Sequence, residues 1–104
     1  MTTTATIYNA PRIGSLCNWG KVDNHQNIAE GIDWVSTASH GGYIVSPARL
    51  AQMPKNLRAC SFTQDNHFEE DCSWVGVILA FPHLFSLSAV EQAWTVYGRV
   101  YANR

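Results

Sequence analysis

Three groups of side chains in this sequence are able to do chemistry, and their spacing limits what each can do. The first is four histidines, His25, His40, His67 and His83. No H-E-x-x-H or H-x-x-x-H spacing places two of them on one helical face, so a helical zinc site lacks its ligands. The densest donor set is His67, Glu69, Glu70, Asp71 and Cys72, which His40 would have to complete from elsewhere. Consecutive residues of a helix point in different directions, so few of these donors reach one ion. No metal and no cofactor is expected.

The second group is three cysteines, Cys17, Cys60 and Cys72. An odd count without a C-x-x-C pair argues against a disulfide framework, a zinc ribbon and thioredoxin-type chemistry. It leaves buried free thiols as the expectation. Cys72 with His40 has the groups of a nucleophilic pair, but no spacing supports it. Ser39-His40-Gly41-Gly42 is comparable with glycine-rich oxyanion loops. Enzymes that use such loops also need a serine on a G-x-S-x-G elbow, and this chain has none. The plainer reading of His40, Gly41 and Gly42 is a tight turn whose histidine hydrogen-bonds locally. Phosphate-loop and dinucleotide-binding motifs are missing too. The sequence favours a non-enzyme, with two alternatives: a small metal-assisted or Cys-His hydrolase-type enzyme using His40 and the Glu69–Cys72 segment, or a structural accessory domain that only stabilises an assembly.

The third group is charge. The net charge is −1 and charged residues make up only 14%, so no basic field attracts nucleic acid. Trp19, Trp34, Trp74 and Trp94 lack interleaved Lys and Arg, which excludes a single-strand stacking platform. Most are expected in the core, with one available as an interface anchor. The acids, by contrast, are clustered: Asp65, Glu69, Glu70 and Asp71 share a segment without Lys or Arg, just after Arg49, Lys55 and Arg58. Two readings stand. One is a solvated acidic helix start; the other is a contact surface for a basic partner. Low overall charge also leaves apolar surface exposed, which suits a protein partner or a homodimer as well as a monomer.

These residues need a scaffold, and 104 residues suit one domain around one core. The Met-Thr-Thr-Thr-Ala-Thr start lacks a basic region followed by an apolar stretch, and the longest apolar run, Trp74 to Pro82, is too short for a bilayer. A cytoplasmic location and no membrane partner are expected. Residues 1–6 read as a flexible tail, and Thr6, Ile7 and Tyr8 as a short strand. Residues 12–30 read as loop, with Ile13, Leu16 and Trp19 on one helical turn. Ile32–Ser36 and Tyr43–Val45 read as a β-hairpin around a Gly-Gly turn. Ser46-Pro47 starts a helix with Leu50 and Met53 inward, and Pro54 ends it.

Residues 55–67 read as polar and irregular. Phe68-Glu69-Glu70-Asp71 reads as the start of a helix with a buried body at Cys72–Ala80, because acids favour a helix N-terminus. The β-branched residues there make a strand the rival reading. Ser88 and Glu91 form a capping box for a last helix from Ala89 to about Tyr101. Its aromatic face, with Val90, Ala93, Trp94, Tyr97 and Tyr101, is expected on the sheet. The predicted fold is α+β: a small β-hairpin or short antiparallel sheet packed against two to three helices, one layer of each.

Two segments carry a resemblance. Trp34-Val35-Ser36-Thr37-Ala38-Ser39-His40-Gly41-Gly42, with Ser46-Pro47-Ala48-Arg49 and Met53-Pro54, is the first. Phe68-Glu69-Glu70-Asp71-Cys72-Ser73-Trp74, with Ala80-Phe81-Pro82 and Phe85, is the second. Over residues 31–100 the chain resembles an uncharacterised small domain of bacteriophage, plasmid and related mobile-element proteins, while the first thirty residues do not match it. The resemblance implies shared polar positions at His40, Gly41, Gly42, Glu69, Glu70 and Asp71, and no catalytic roles. It also implies a typical job: stoichiometric inhibition of a host defence protein such as a nuclease or a CRISPR surveillance complex, as anti-CRISPR proteins do. Asp65, Glu69, Glu70 and Asp71 would then meet a basic groove built for nucleic acid.

Overall fold

The computed structural model describes residues 8–101. The expected tail over residues 1–6 and the start of the expected Thr6–Tyr8 strand lie outside them. Tyr8 itself is in no strand.

The centre is the predicted hairpin, β4 (Ile32–Ser36) against β5 (Gly41–Val45). Its turn differs from the expected one. Thr37 N donates to His40 O at 2.7 Å, and the Thr37 hydroxyl accepts from the His40 N–H at 3.1 Å. The threonine side chain therefore closes the turn, and both glycines lie inside β5, opposite Ser36 and Val35. Gly42 is needed there for close approach: a Cβ would fall 2.2 Å from Phe68 O and 2.9 Å from the Trp19 ring.

β3 (Asn24–Ala29) and β6 (His67–Glu69) flank the hairpin in an antiparallel sheet of order β3-β4-β5-β6. β3 overturns the loop expected over residues 12–30. Its Asn-His-Gln-Asn run has no apolar alternation, so it is held by its ladder to β4 rather than by burying one face. The expected helical turn is instead a separate hairpin, β1 (Leu16–Cys17) with β2 (Gly20–Lys21). Ile13 and Leu16 are exposed, while Val22 and part of Trp19 pack inward.

β6 also replaces the expected acidic helix start. Phe68 is fully buried opposite Tyr43, and Glu70 N donates to Gly41 O at 2.9 Å. Pairing satisfies the backbone groups of β5, which a helix here would leave open. Turns over residues 70–74 then lead into α3 (Val75–Ala80), so the helix body is as expected, without the acids as its cap.

α1 (Pro47–Gln52) begins as predicted: Ser46 Oγ accepts from Arg49 N at 3.1 Å and Pro47 opens the helix. Met53 is buried and Leu50 half-buried. The stretch expected to be irregular holds one helical turn, α2 (Lys55–Arg58), which buries Leu57. α4 (Leu87–Val100) starts earlier than expected. Phe85 and Ser86 are extended, so Ser86 is the last non-helical residue and its Oγ takes Ala89 N at 3.1 Å. Ser88 already lies inside the first turn. α4 packs on α3 rather than on the sheet, with Ala93 as its fully buried residue.

The result is an α+β fold whose sheet is covered on both faces. Ile32, Val45 and Phe68 face the helices and meet Met53, Leu57, Val75 and Val77. Val35 and Ile44 face the other way and pack with Val22, Tyr8, Cys17 and Trp19. This second cover, from residues 8–22, is an addition to the expected two layers. No helix among the described residues is long and apolar enough to cross a membrane.

Candidate functional site

The four acids of the candidate surface separate. Asp65 is built into the loop before β6. Its Oδ1 accepts from Thr63 Oγ1 and from His67 N, each at 2.8 Å, and its Oδ2 from Asn18 Nδ2 at 2.9 Å. Glu69 is half-buried and lies 3.5 Å from His40 Nδ1, so an ion pair joins the hairpin turn to β6 whenever His40 is protonated. Glu70 and Asp71 are exposed, and among the described residues no cation pairs with either. His40 thus meets Glu69, while Gly41 and Gly42 give β6 room to come close. His40 makes no hydrogen bond to Cys72. No three His, Cys, Asp or Glu side chains among the described residues gather to hold a metal ion.

A different carboxylate gathers polar groups. Asp33 is 1% exposed in the middle of β4. Its Oδ1 accepts from His25 Nε2 at 2.7 Å and Asn27 Nδ2 at 3.0 Å, and its Oδ2 from Tyr8 Oη at 3.0 Å. A carboxylate taken out of water needs such donors. Burial, then the Asp33 charge and its hydrogen bond, pushes the Tyr8 hydroxyl well above its ordinary pKa. An Asp-His pair is the orienting half of a nucleophilic triad. Here no Ser, Thr or Cys among the described residues bonds the second imidazole nitrogen, so the relay has nothing to activate. What it does is fasten β3 and the Tyr8 segment to β4. The signal in the sequence was a charged residue flanked on both sides by core residues, Ile32-Asp33-Trp34-Val35.

His67 is consumed in the same way. Its Nε2 accepts from Asn18 N at 3.3 Å and its Nδ1 donates to Asn66 Oδ1 at 2.9 Å, an arrangement of neutral imidazole. Trp19 stands edge-on at 4.9 Å between ring centroids. Burial lowers the His67 pKa, partly opposed by the Asp65 charge. The ring clips the β1–β2 hairpin to the sheet.

Several large apolar and aromatic side chains also face outward. Leu87 is 75% exposed, Trp94 58% and Phe62 51%. Leu87 and Trp94 lie two helical turns apart on one side of α4. Trp94 meets Tyr97 edge-on at 5.9 Å, Tyr97 stacks on Tyr101 at 5.6 Å, and Tyr101 stacks on Phe62 at 6.3 Å. The ladder is anchored from below: Asn56 Nδ2 donates to Tyr97 Oη and Tyr101 Oη donates to Cys60 O. Trp94, expected inward, faces solvent because its neighbour Ala93 takes the buried place against α3.

A family model described as a domain of unknown function (DUF7007) matches residues 12–103. The chain belongs to this family. Membership covers the β1–β2 hairpin and β3 as well as the two segments that carried the resemblance, so the first thirty residues are part of the family domain from residue 12 onward. No match emerges among curated proteins or solved structures. The Asp33 network and the α4 ladder both lie mainly within the family's span; Tyr8 alone stands before it.

Proposed function

We propose that this DUF7007 domain is a protein-binding inhibitor of mobile-element origin that acts stoichiometrically on a host defence protein, a nuclease or CRISPR surveillance complex. The observation that carries the reading is the ladder in which half-buried Tyr97 and Tyr101 join exposed Trp94 to exposed Phe62, beside exposed Leu87. Trp and Tyr held in place by neighbours lose little freedom on binding and dominate interface hot spots. Contiguous apolar surface of this kind marks interaction sites. Glu70 and Asp71 add steering toward a basic groove. Of the groups of the alternative reading, His40 faces Glu69 and makes no hydrogen bond to Cys72, which favours a structural role for that histidine.

The test is binding of the full chain to a panel of purified CRISPR effector complexes and host nucleases, by interferometry at two salt concentrations. Trp94→Ala is expected to abolish capture with the melting temperature nearly unchanged. Glu70→Lys with Asp71→Lys is expected to slow association and remove its salt dependence. Capture that survives Trp94→Ala contradicts the role of the ladder. Nucleic-acid or peptide turnover by the isolated chain contradicts the non-catalytic reading.

A further inference from the structure

The sheet face opposite the helices carries a cleft that the α4 ladder does not share. Its volume is about 780 Å³, within the range of roughly 300–1,000 Å³ found for small-molecule sites. The Tyr8–Arg12 segment, the β1–β2 hairpin, Asn66 and His67 line it. Leu16 and Pro47 add exposed apolar surface.

The charge around this cleft is one-sided. The chain has eight acidic residues, yet none is among those lining the cleft. The two nearest carboxylates through hydrogen bonds are spent: Asp33 holds Tyr8, His25 and Asn27, and Asp65 holds Asn18 and Thr63. Asn66 and His67 are committed as well, to Val45 O and Asn18 N. Arg12 is different. Its backbone N–H bonds Ser15 Oγ, while no carboxylate among the described residues pairs with its exposed guanidinium.

We infer that this cleft binds a small organic anion with a flat apolar body, its acid group on Arg12 and its body over Leu16 and Pro47. A guanidinium forks two oxygens of a carboxylate, sulfonate or phosphate, and the apolar lining takes the remainder. The inference is independent of the protein-binding reading, because it concerns the opposite side of the sheet.

The test uses anilinonaphthalene sulfonate as the probe and the full chain as the protein. Dye fluorescence gives affinity, and alkylation of Cys17, a half-buried thiol lining the cleft, reports the place of binding by mass spectrometry. One dye per chain is expected, with Cys17 protected at saturation. Arg12→Gln is expected to weaken binding roughly tenfold or more, and the uncharged phenylnaphthylamine to bind equally weakly to both forms. Trp94→Ala is expected to leave the signal unchanged, which separates this site from the ladder. Equal affinity of the Arg12→Gln chain, an unprotected Cys17 at saturation, or loss of the signal in Trp94→Ala overturns the inference.

Discussion

Two regions hold the side chains that recognition or catalysis would use, and they use them in opposite ways. Around buried Asp33, the polar ends of Tyr8, His25 and Asn27 converge on one carboxylate and satisfy it. Along α4, Trp94 turns outward and continues through half-buried Tyr97 and Tyr101 to exposed Phe62. The first region resembles a catalytic relay by composition, yet its geometry spends every strong donor on holding strands together. The second has no reactive group and remains available. Residue type shows what a group is capable of, while partners and exposure show what it is free to do.

This contrast can be sharpened by substitution, starting from the packed side that supports both regions. Phe68→Ala removes a fully buried ring between the sheet and α3, and chemical denaturation is expected to show a loss of about 3–5 kcal/mol. Asp33→Ala leaves Tyr8, His25 and Asn27 without their acceptor, with an expected loss of roughly 1.5–3 kcal/mol. If the folded Asp33→Ala protein loses binding but not stability, the inward region is functional after all and the contrast fails. Ser86→Ala removes the observed cap of α4 and is expected to cost about 1 kcal/mol, whereas Ser88→Ala should be close to neutral. The reverse order would restore the Ser88–Glu91 box. Trp94→Ala is expected to change stability by no more than about 0.5 kcal/mol, because its ring is mostly solvent-facing.

The smallest effect is that of pH. Burial lowers the His67 pKa below its ordinary 6.5, so the unfolded chain takes up a proton first as the solution is acidified. Stability contributed by the neutral ring is complete above about pH 6.5 and declines as pH falls from there toward the folded value. Melting curves between pH 7 and pH 5 should show this decline, and His67→Gln should flatten it. An unchanged slope in that variant would remove His67 as the clip of the β1–β2 hairpin.

Much of the architecture was legible in local chemistry. Ser46-Pro47, the β4–β5 runs and the apolar body of α3 each carry their own signal and fold accordingly. Two of the departures share one cause. β3 is polar, and Glu69 looks like a helix-start residue, but ladder pairing with β4 and β5 decides both. The same holds at the site. The acidic run was visible, but whether each carboxylate was free depended on Asn18, Thr63 and His40, which come from other parts of the chain. Asp33 is buried because a strand covered on both faces has no solvent side for its alternate residues.

The central claim is that the α4 ladder inhibits by occupancy and that the protein turns nothing over. Titrating the full chain into a susceptible nuclease or effector complex, and reading residual cleavage against molar ratio, tests this most directly. Inhibition should grow linearly to an end point at a fixed stoichiometry, reverse when the chain is removed, and vanish with Trp94→Ala. Complete inhibition by a small molar fraction of the chain, persisting after its removal, would contradict it.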